Sequence, residues 1–215
     1  MNKIIDLMDL YKLLFNYYGN QKWWPAESHF EIVVGAILTQ NTNWGNVEKA
    51  IRSLKDHNIL NPQEIYNADL EILKDMIRPA GFYNQKAIYL KNITYFILNE
   101  LKGNIMNLKV YNISEARKKL LSIKGVGFET ADSILLYAIK MPIFIVDLYT
   151  IRFLSRMKIG LPKRNYNIIQ DYIMSNIRKD VTIYNEFHAL IVEHSKKYCR
   201  KKPLCDICFL NLYCK

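Results

Sequence analysis

The 215-residue chain has no cysteine before residue 199, no low-complexity segment, no long Gly/Ser linker and no internal repeat. A disulfide framework spread through the chain, a tethered array and a repeat solenoid are thereby excluded. No apolar run reaches membrane-spanning length, and the opening "MNKIIDLMDLYKLLFNYYGN" interleaves acids and lysines where a secretory signal needs an uninterrupted apolar stretch. The expectation is a soluble intracellular protein. Strand-like alternation is sustained nowhere, which removes sheet-based folds from consideration.

Acidic residues are also in short supply. Thirty Lys and Arg against 20 Asp and Glu leave a formal charge of +10 and a pI near 9.3. A surplus of that sign points to a polyanionic partner, because basic groups near phosphates gain affinity by releasing condensed counterions. A soluble surface in a lysine-rich proteome is the other reading of the same numbers. Half of the residues are hydrophobic, enough for one large helical domain or two small lobes.

Apolar residues recur at helical spacing in "IDLMDLYKLLFNYY", "FEIVVGAILTQ", "NVEKAIRSLKDH", "KAIYLKNITYFILNEL" and "TADSILLYAIK". Turn chemistry separates them: "NPQE" at 61–64, "RPAGFYN" at 78–84, "KGVG" at 124–127 and "MPIF" at 141–144. The pattern predicts an all-α protein of many short helices. Ser28, Asn61 ahead of Pro62, and Ser114 ahead of "EARKKLLSI" are the expected helix caps.

Within "KKLLSIKGVGFETADSILLYA" two amphipathic segments meet at a turn holding Gly125 and Gly127. Glycine tolerates positive φ and close backbone approach, so amides at the start of the second helix can face outward, where they suit phosphate; any tight helix-helix turn also uses glycine. Asp147, ahead of "LYTIRFL", has the position of an N-cap. Gln40 and Phe82 read, by themselves, as a helix cap and a buried aromatic. His188 and His194 carry no ligand spacing and are expected to pack or lie on the surface. Trp23 and Trp24, followed by Pro25, cannot share one helix face, so the sequence admits one in a core with the other lining a cavity, or both covering a junction between lobes.

All four cysteines fall in the last seventeen residues, Cys199, Cys205, Cys208 and Cys214, spaced C-x5-C-x2-C-x5-C. In an intracellular chain that arrangement points to metal, and four thiolates suit either a structural zinc or an iron-sulfur cluster.

Gly-Val-Gly with Thr-Ala, an apolar helix and then "FIVDLYTIRFLSR" resembles the helix-hairpin-helix of the endonuclease III superfamily of DNA glycosylases. "VVGAILTQNTNW", "IRPAGFYNQKAIYLKNI" and the terminal cysteines extend the resemblance over nearly the whole chain. It implies a two-lobed all-α fold with a DNA groove between the lobes: a helical barrel over 26–139, and a second lobe from 1–25 and 140–215. It implies that Lys124, Gly125, Gly127 and Thr130 of the hairpin contact the DNA backbone and that Asp147 is the catalytic carboxylate. Gln40 would fill the gap left by an extruded base, and Phe82 or Tyr83 would wedge into the duplex, since a glycosidic bond inside a duplex is inaccessible until the nucleotide swings out. The family's terminal C-x6-C-x2-C-x5-C holds a [4Fe-4S] cluster. The first gap here is one residue shorter, and the resemblance favours the cluster over zinc, with the basic "KKYCRKK" at 196–202 presented to DNA.

Glu129 occupies the position where bifunctional members carry the lysine that forms a Schiff base at C1′. A carboxylate cannot form that imine, so the resemblance implies a monofunctional enzyme. "WWP" followed by "F-E-x-x-x-G-A-I-L-T-Q-N-T" resembles the 3-methyladenine DNA glycosylase branch, which implies alkylated purines (3-methyladenine, 7-methylguanine) as substrates. Trp23, Trp24 and Pro25 would form the base pocket, because an indole face attracts a cationic base. Mismatched thymine or uracil opposite guanine, oxidised bases, or a non-catalytic DNA-binding module are the alternatives. The implied partner is double-stranded DNA with damaged bases, met by a monomer in the cytoplasm or, in a prokaryote, at the nucleoid.

Overall fold

The computed structural model describes residues 5–157, 159 and 165–214. Every regular element among them is helical, as the periodicity predicts; the lone exception is one antiparallel bridge pair, Met157 with Cys214. No helix of the described residues is long and apolar enough to cross a membrane. The chain divides into two compact units, one of Trp24–Met141 and one of Met1–Trp23 with Pro142–Lys215.

The unit of Trp24–Met141 is built on α2 (His29–Leu38). Every residue of "FEIVVGAIL" is buried, so this helix is core all round rather than amphipathic. Its one acid, Glu31, is tolerated there because Lys55 Nζ lies 3.0 Å from its carboxylate, which also accepts the Glu27 amide. Around it run α3 (Trp44–Asp56), α4 (Pro62–Asn67), α5 (Leu70–Met76), the long α6 (Tyr83–Glu100), α7 (Ile113–Leu121) and α8 (Phe128–Ser133), which continues without a break into a π-helical turn, Ile134–Ala138.

Ser28 caps α2 by accepting the Glu31 amide, and Asn61 caps α4 with Pro62 in its first turn, both as expected. Ser114 is not a cap. Asn112 is: it accepts the Glu115 amide while the Glu115 carboxylate takes the Asn112 amide, a reciprocal capping box that satisfies two end amides where Ser114 could satisfy one.

The other unit holds α1 (Leu7–Tyr18), α9 (Leu148–Arg156), α10 (Tyr166–Asn176) and α11 (Val181–Lys197), followed by short 3-10 turns at Cys205–Ile207 and Asn211–Tyr213. Leu7, Leu10 and Leu14 give α1 a single buried stripe that packs on α11. On α11 nearly the whole run from Ile183 to Ser195 is buried, including Glu186, His188 and His194. Burial pushes the Glu186 carboxyl up, partly offset by the Gln21 amide that it accepts at 2.7 Å.

Candidate functional site

Asp147 follows a non-helical stretch, "IFIV", and is the N-cap of α9: its Oδ1 accepts the Thr150 amide at 2.6 Å. Its Oδ2 lies 3.5 Å from His188 Nε2 on α11. Both groups are buried. Burial alone raises a carboxyl's pKa; here the nearby His188 ring and the Thr150 amide outweigh it and hold Asp147 below the ordinary carboxylate value. The carboxylate is thus both a cap and a buried, ionised group fixed from two helices. His188, expected only to pack, is the half of this pair that the sequence reading missed.

The C-terminal half of α9 grips the cysteine loop. Arg152 Nε donates to Cys199 O at 2.8 Å; one turn on, Arg156 donates to Cys199 Sγ at 3.2 Å, Arg200 O at 2.6 Å and Lys201 O at 3.1 Å. Cys199 is buried, Cys205 exposed, and Cys208 and Cys214 in between. Burial first, then the charges of the other cysteines, push the Cys208 thiol up and the Cys214 thiol up to about 11. Among the described residues no three His, Cys, Asp or Glu side chains converge to hold a single metal ion. His194 is not a bystander either: its Nε2 is 3.5 Å from Cys208 Sγ, its Nδ1 is 3.0 Å from Tyr18 Oη, and its ring sits among Tyr18, Phe153, Tyr198 and Phe209. Burial drives its pKa down to about 4. Lys196, Lys197, Arg200, Lys201 and Lys202 are all exposed.

In the unit of Trp24–Met141 the hairpin joins α7 to α8. Gly125 has φ +101°, and a Cβ there would sit 2.2 Å from the Tyr89 ring of α6, so only glycine fits. Gly127 differs from expectation: its φ is −91° and nothing crowds it, so it serves as a plain N-cap rather than as a sterically required glycine. The hairpin's helices are locked by a two-pronged pair, Arg117 Nε and Nη2 to the Asp132 carboxylate at 2.7 and 2.9 Å, with Asp132 fully buried. Lys124 and Glu129 are exposed, whereas Thr130 is buried. Gln40 Nε2 donates to Gly125 O and to Thr130 Oγ1, both at 3.0 Å, so the turn after α2 is fastened to the hairpin.

Phe82 is 64 % exposed and has φ +48°, a left-handed conformation costly for an aromatic residue, directly after Gly81 at φ +69°. It is no buried aromatic. Tyr83, by contrast, lies under Arg78, whose guanidinium is 4.7 Å from its ring centre. Trp24 lies on α2 at Gly35, where a Cβ would meet its ring at 3.0 Å, and packs edge-on to Trp44 (4.9 Å between centres) and tilted to Tyr137 (5.1 Å). Trp23 belongs to the other unit, with Lys196 5.7 Å from its ring centre, and Pro25 is exposed. Trp44 and Tyr137 were not singled out in the sequence; nothing but proximity to "WWP" in the fold marks them.

Residues 34–179 match the family profile of the HhH-GPD superfamily base excision DNA repair proteins. A Methanocaldococcus jannaschii protein provisionally named a DNA repair glycosylase is 52% identical over 215 residues, covering 99% of this chain and 97% of its own length. The Helicobacter pylori 3-methyladenine DNA glycosylase bound to 1,N6-ethenoadenine superposes with a TM-score of 0.79 at 30% identity, over 90% of this chain and 98% of that one. Endonuclease III in a non-covalent complex with DNA has the same fold, with a TM-score of 0.79 at 18% identity over 97% of this chain and 94% of that one. The chain belongs to the HhH-GPD superfamily of base excision DNA repair proteins and is a DNA glycosylase.

Proposed function

We propose that the chain is a monofunctional glycosylase that extrudes alkylated purines from duplex DNA and hydrolyses their N-glycosidic bond. The observation that carries the substrate class is the Trp24–Trp44–Tyr137 cluster beside α2. Electron-rich ring faces favour a base that carries positive charge over a neutral one. The 30% identity to the Helicobacter pylori 3-methyladenine enzyme supports the same reading.

In the proposed reaction the C1′–N bond breaks with its electron pair leaving on the base, which a cationic purine accepts readily. Asp147, ionised and held by His188 and the Thr150 amide, faces the developing sugar cation and takes the proton of the water that adds to C1′. Glu129 has no amine with which to hold the sugar covalently, so the product is an intact strand with an abasic site. Phe82 is the wedge, Gln40 the residue entering the vacated stack, and Lys124 with the hairpin amides the backbone grip.

We assign Cys199, Cys205, Cys208 and Cys214 to a [4Fe-4S] cluster. Four cysteines within one short terminal segment are a thiolate donor set suited to an iron-sulfur cluster, and Arg156 supplies an N–H to Cys199 Sγ. The cluster's contribution would be to brace the loop that carries the exposed basic residues. Base release from methylated duplex DNA tests the substrate assignment; release of thymine or uracil from mismatches with guanine, or of oxidised bases, and not of methylated purines would replace it.

A further inference from the structure

Lys86 is charged in sequence and 98 % hidden in the fold, with a relative exposure of 2%. It lies on α6 and has no acidic partner among the described residues; instead its Nζ donates to two backbone carbonyls, Leu38 O and Ala80 O, both at 2.8 Å. Leu38 is the last residue of α2, and the turn that follows it carries Gln40. Ala80 ends the 3-10 turn Arg78–Ala80, and the residues that follow it are Gly81 and Phe82. One buried ammonium thus joins the two segments that lead into Gln40 and Phe82, 42 positions apart in sequence. A cation at the end of α2 is also favourably placed against the helix dipole.

The same face of α6 continues the pattern at three-residue steps. Tyr89 fills the space that Gly125 leaves open, and Asn92 Nδ2 donates to Lys124 O at 3.0 Å. Helix α6 therefore holds the Gln40 turn, the Phe82 loop and the hairpin by three successive side chains, and Lys86 is hydrogen-bonded to the first two at once.

We propose that Lys86 is a positioning residue for duplex opening: by holding the Leu38 and Ala80 carbonyls together it fixes the spacing between Gln40 and Phe82. The proposal rests on the reading of Phe82 as the wedge and of Gln40 as the residue that enters the stack. An ammonium suits the task better than an apolar side chain, because two carbonyls at loop bases that cannot reach water need donors, and a single Nζ supplies both.

The test has two arms. In the unaltered protein without DNA, hydrogen exchange at Thr39, Thr42, Ala80 and Gly81 should report one shared opening, with the same free energy and denaturant dependence. In Lys86→Met, or Lys86→Gln if the first folds poorly, protection at all four amides should fall about ten-fold or more while that of α4 and α7 is retained. Independent opening of the two loops in the unaltered protein, or loss of protection in only one of them, overturns the proposal without reference to any activity.

The second arm uses a duplex with 2-aminopurine beside a tetrahydrofuran abasic analogue, whose fluorescence rises on unstacking. Lys86→Met should lose most of the rise while its affinity for undamaged duplex is unchanged, and its effect should not add to that of Phe82→Ala. Additive effects would mean that Lys86 only supports stability, which overturns the proposal. Phe82→Ala that unstacks the probe as well as the unaltered protein would instead defeat the wedge reading, and with it the functional half of the proposal.

Discussion

Replacing Gly125 by alanine should be far more damaging than the same change at Gly127, two residues away in the same turn. At φ +101° a side chain costs about 1–3 kcal/mol in backbone strain, and a Cβ placed 2.2 Å from the Tyr89 ring adds an overpacking cost of about 1–3 kcal/mol, for a total of about 2–6 kcal/mol. The turn cannot relax freely, because Gly125 O accepts Gln40 Nε2 and Lys124 O accepts Asn92 Nδ2. Gly127, at φ −91° with open space around it, loses about 0.5–1 kcal/mol as a cap and regains about 0.4–1 kcal/mol through a stiffer unfolded chain. Urea denaturation of the two variants reads the difference directly. Tyr89→Ala should remove the overpacking share, leaving Gly125→Ala a penalty of about 1–3 kcal/mol in that background. Equal midpoints for Gly125→Ala and Gly127→Ala would refute the steric account of the hairpin.

Asp147 gives a pH prediction with a definite sign. Its folded pKa is depressed, so its contribution to stability is present above the ordinary carboxylate range and is lost as pH falls through the lower folded value; Asp147→Asn, which keeps the cap, should flatten that acid-side loss in denaturation curves, and His188→Leu should move the loss to higher pH. Removing one partner of the Arg117–Asp132 pair, as in Arg117→Met, should cost about 3–5 kcal/mol in chemical denaturation because the buried Asp132 carboxylate loses its two-pronged partner; a loss below about 1 kcal/mol would contradict the lock between the hairpin helices. Protein purified without oxygen should contain about four iron atoms per chain and absorb in the visible, and Cys199→Ser should abolish both. One tightly bound zinc in place of iron would contradict the cluster assignment.

Much of the fold was legible from periodicity and punctuation. Ser28 and the Asn61–Pro62 pair stand where a cap and a first helical residue are needed, and the structure uses them so. Ser114 is no cap because Asn112, followed three residues later by Glu115, is the stronger cap signal and serves two amides. The partners of the site were not legible. His188 is 41 positions from Asp147 on a helix buried nearly all round, so no amphipathic pattern marks the face that meets the carboxylate. Lys86 looks like an ordinary surface lysine until the carbonyls of Leu38 and Ala80 are seen to converge on it. Each belongs to a contact between segments distant in sequence, where local propensity carries no information.

The account's central claim is most directly tested by base release from methylated duplex DNA, with strand scission scored before and after alkali, for the unaltered protein and Asp147→Asn. Release of 3-methyladenine or 7-methylguanine, nicking only after alkali, and a loss of about 10²–10⁴-fold in the variant are the predicted results. No release of either base, nicking without alkali, or undiminished release by Asp147→Asn would contradict it.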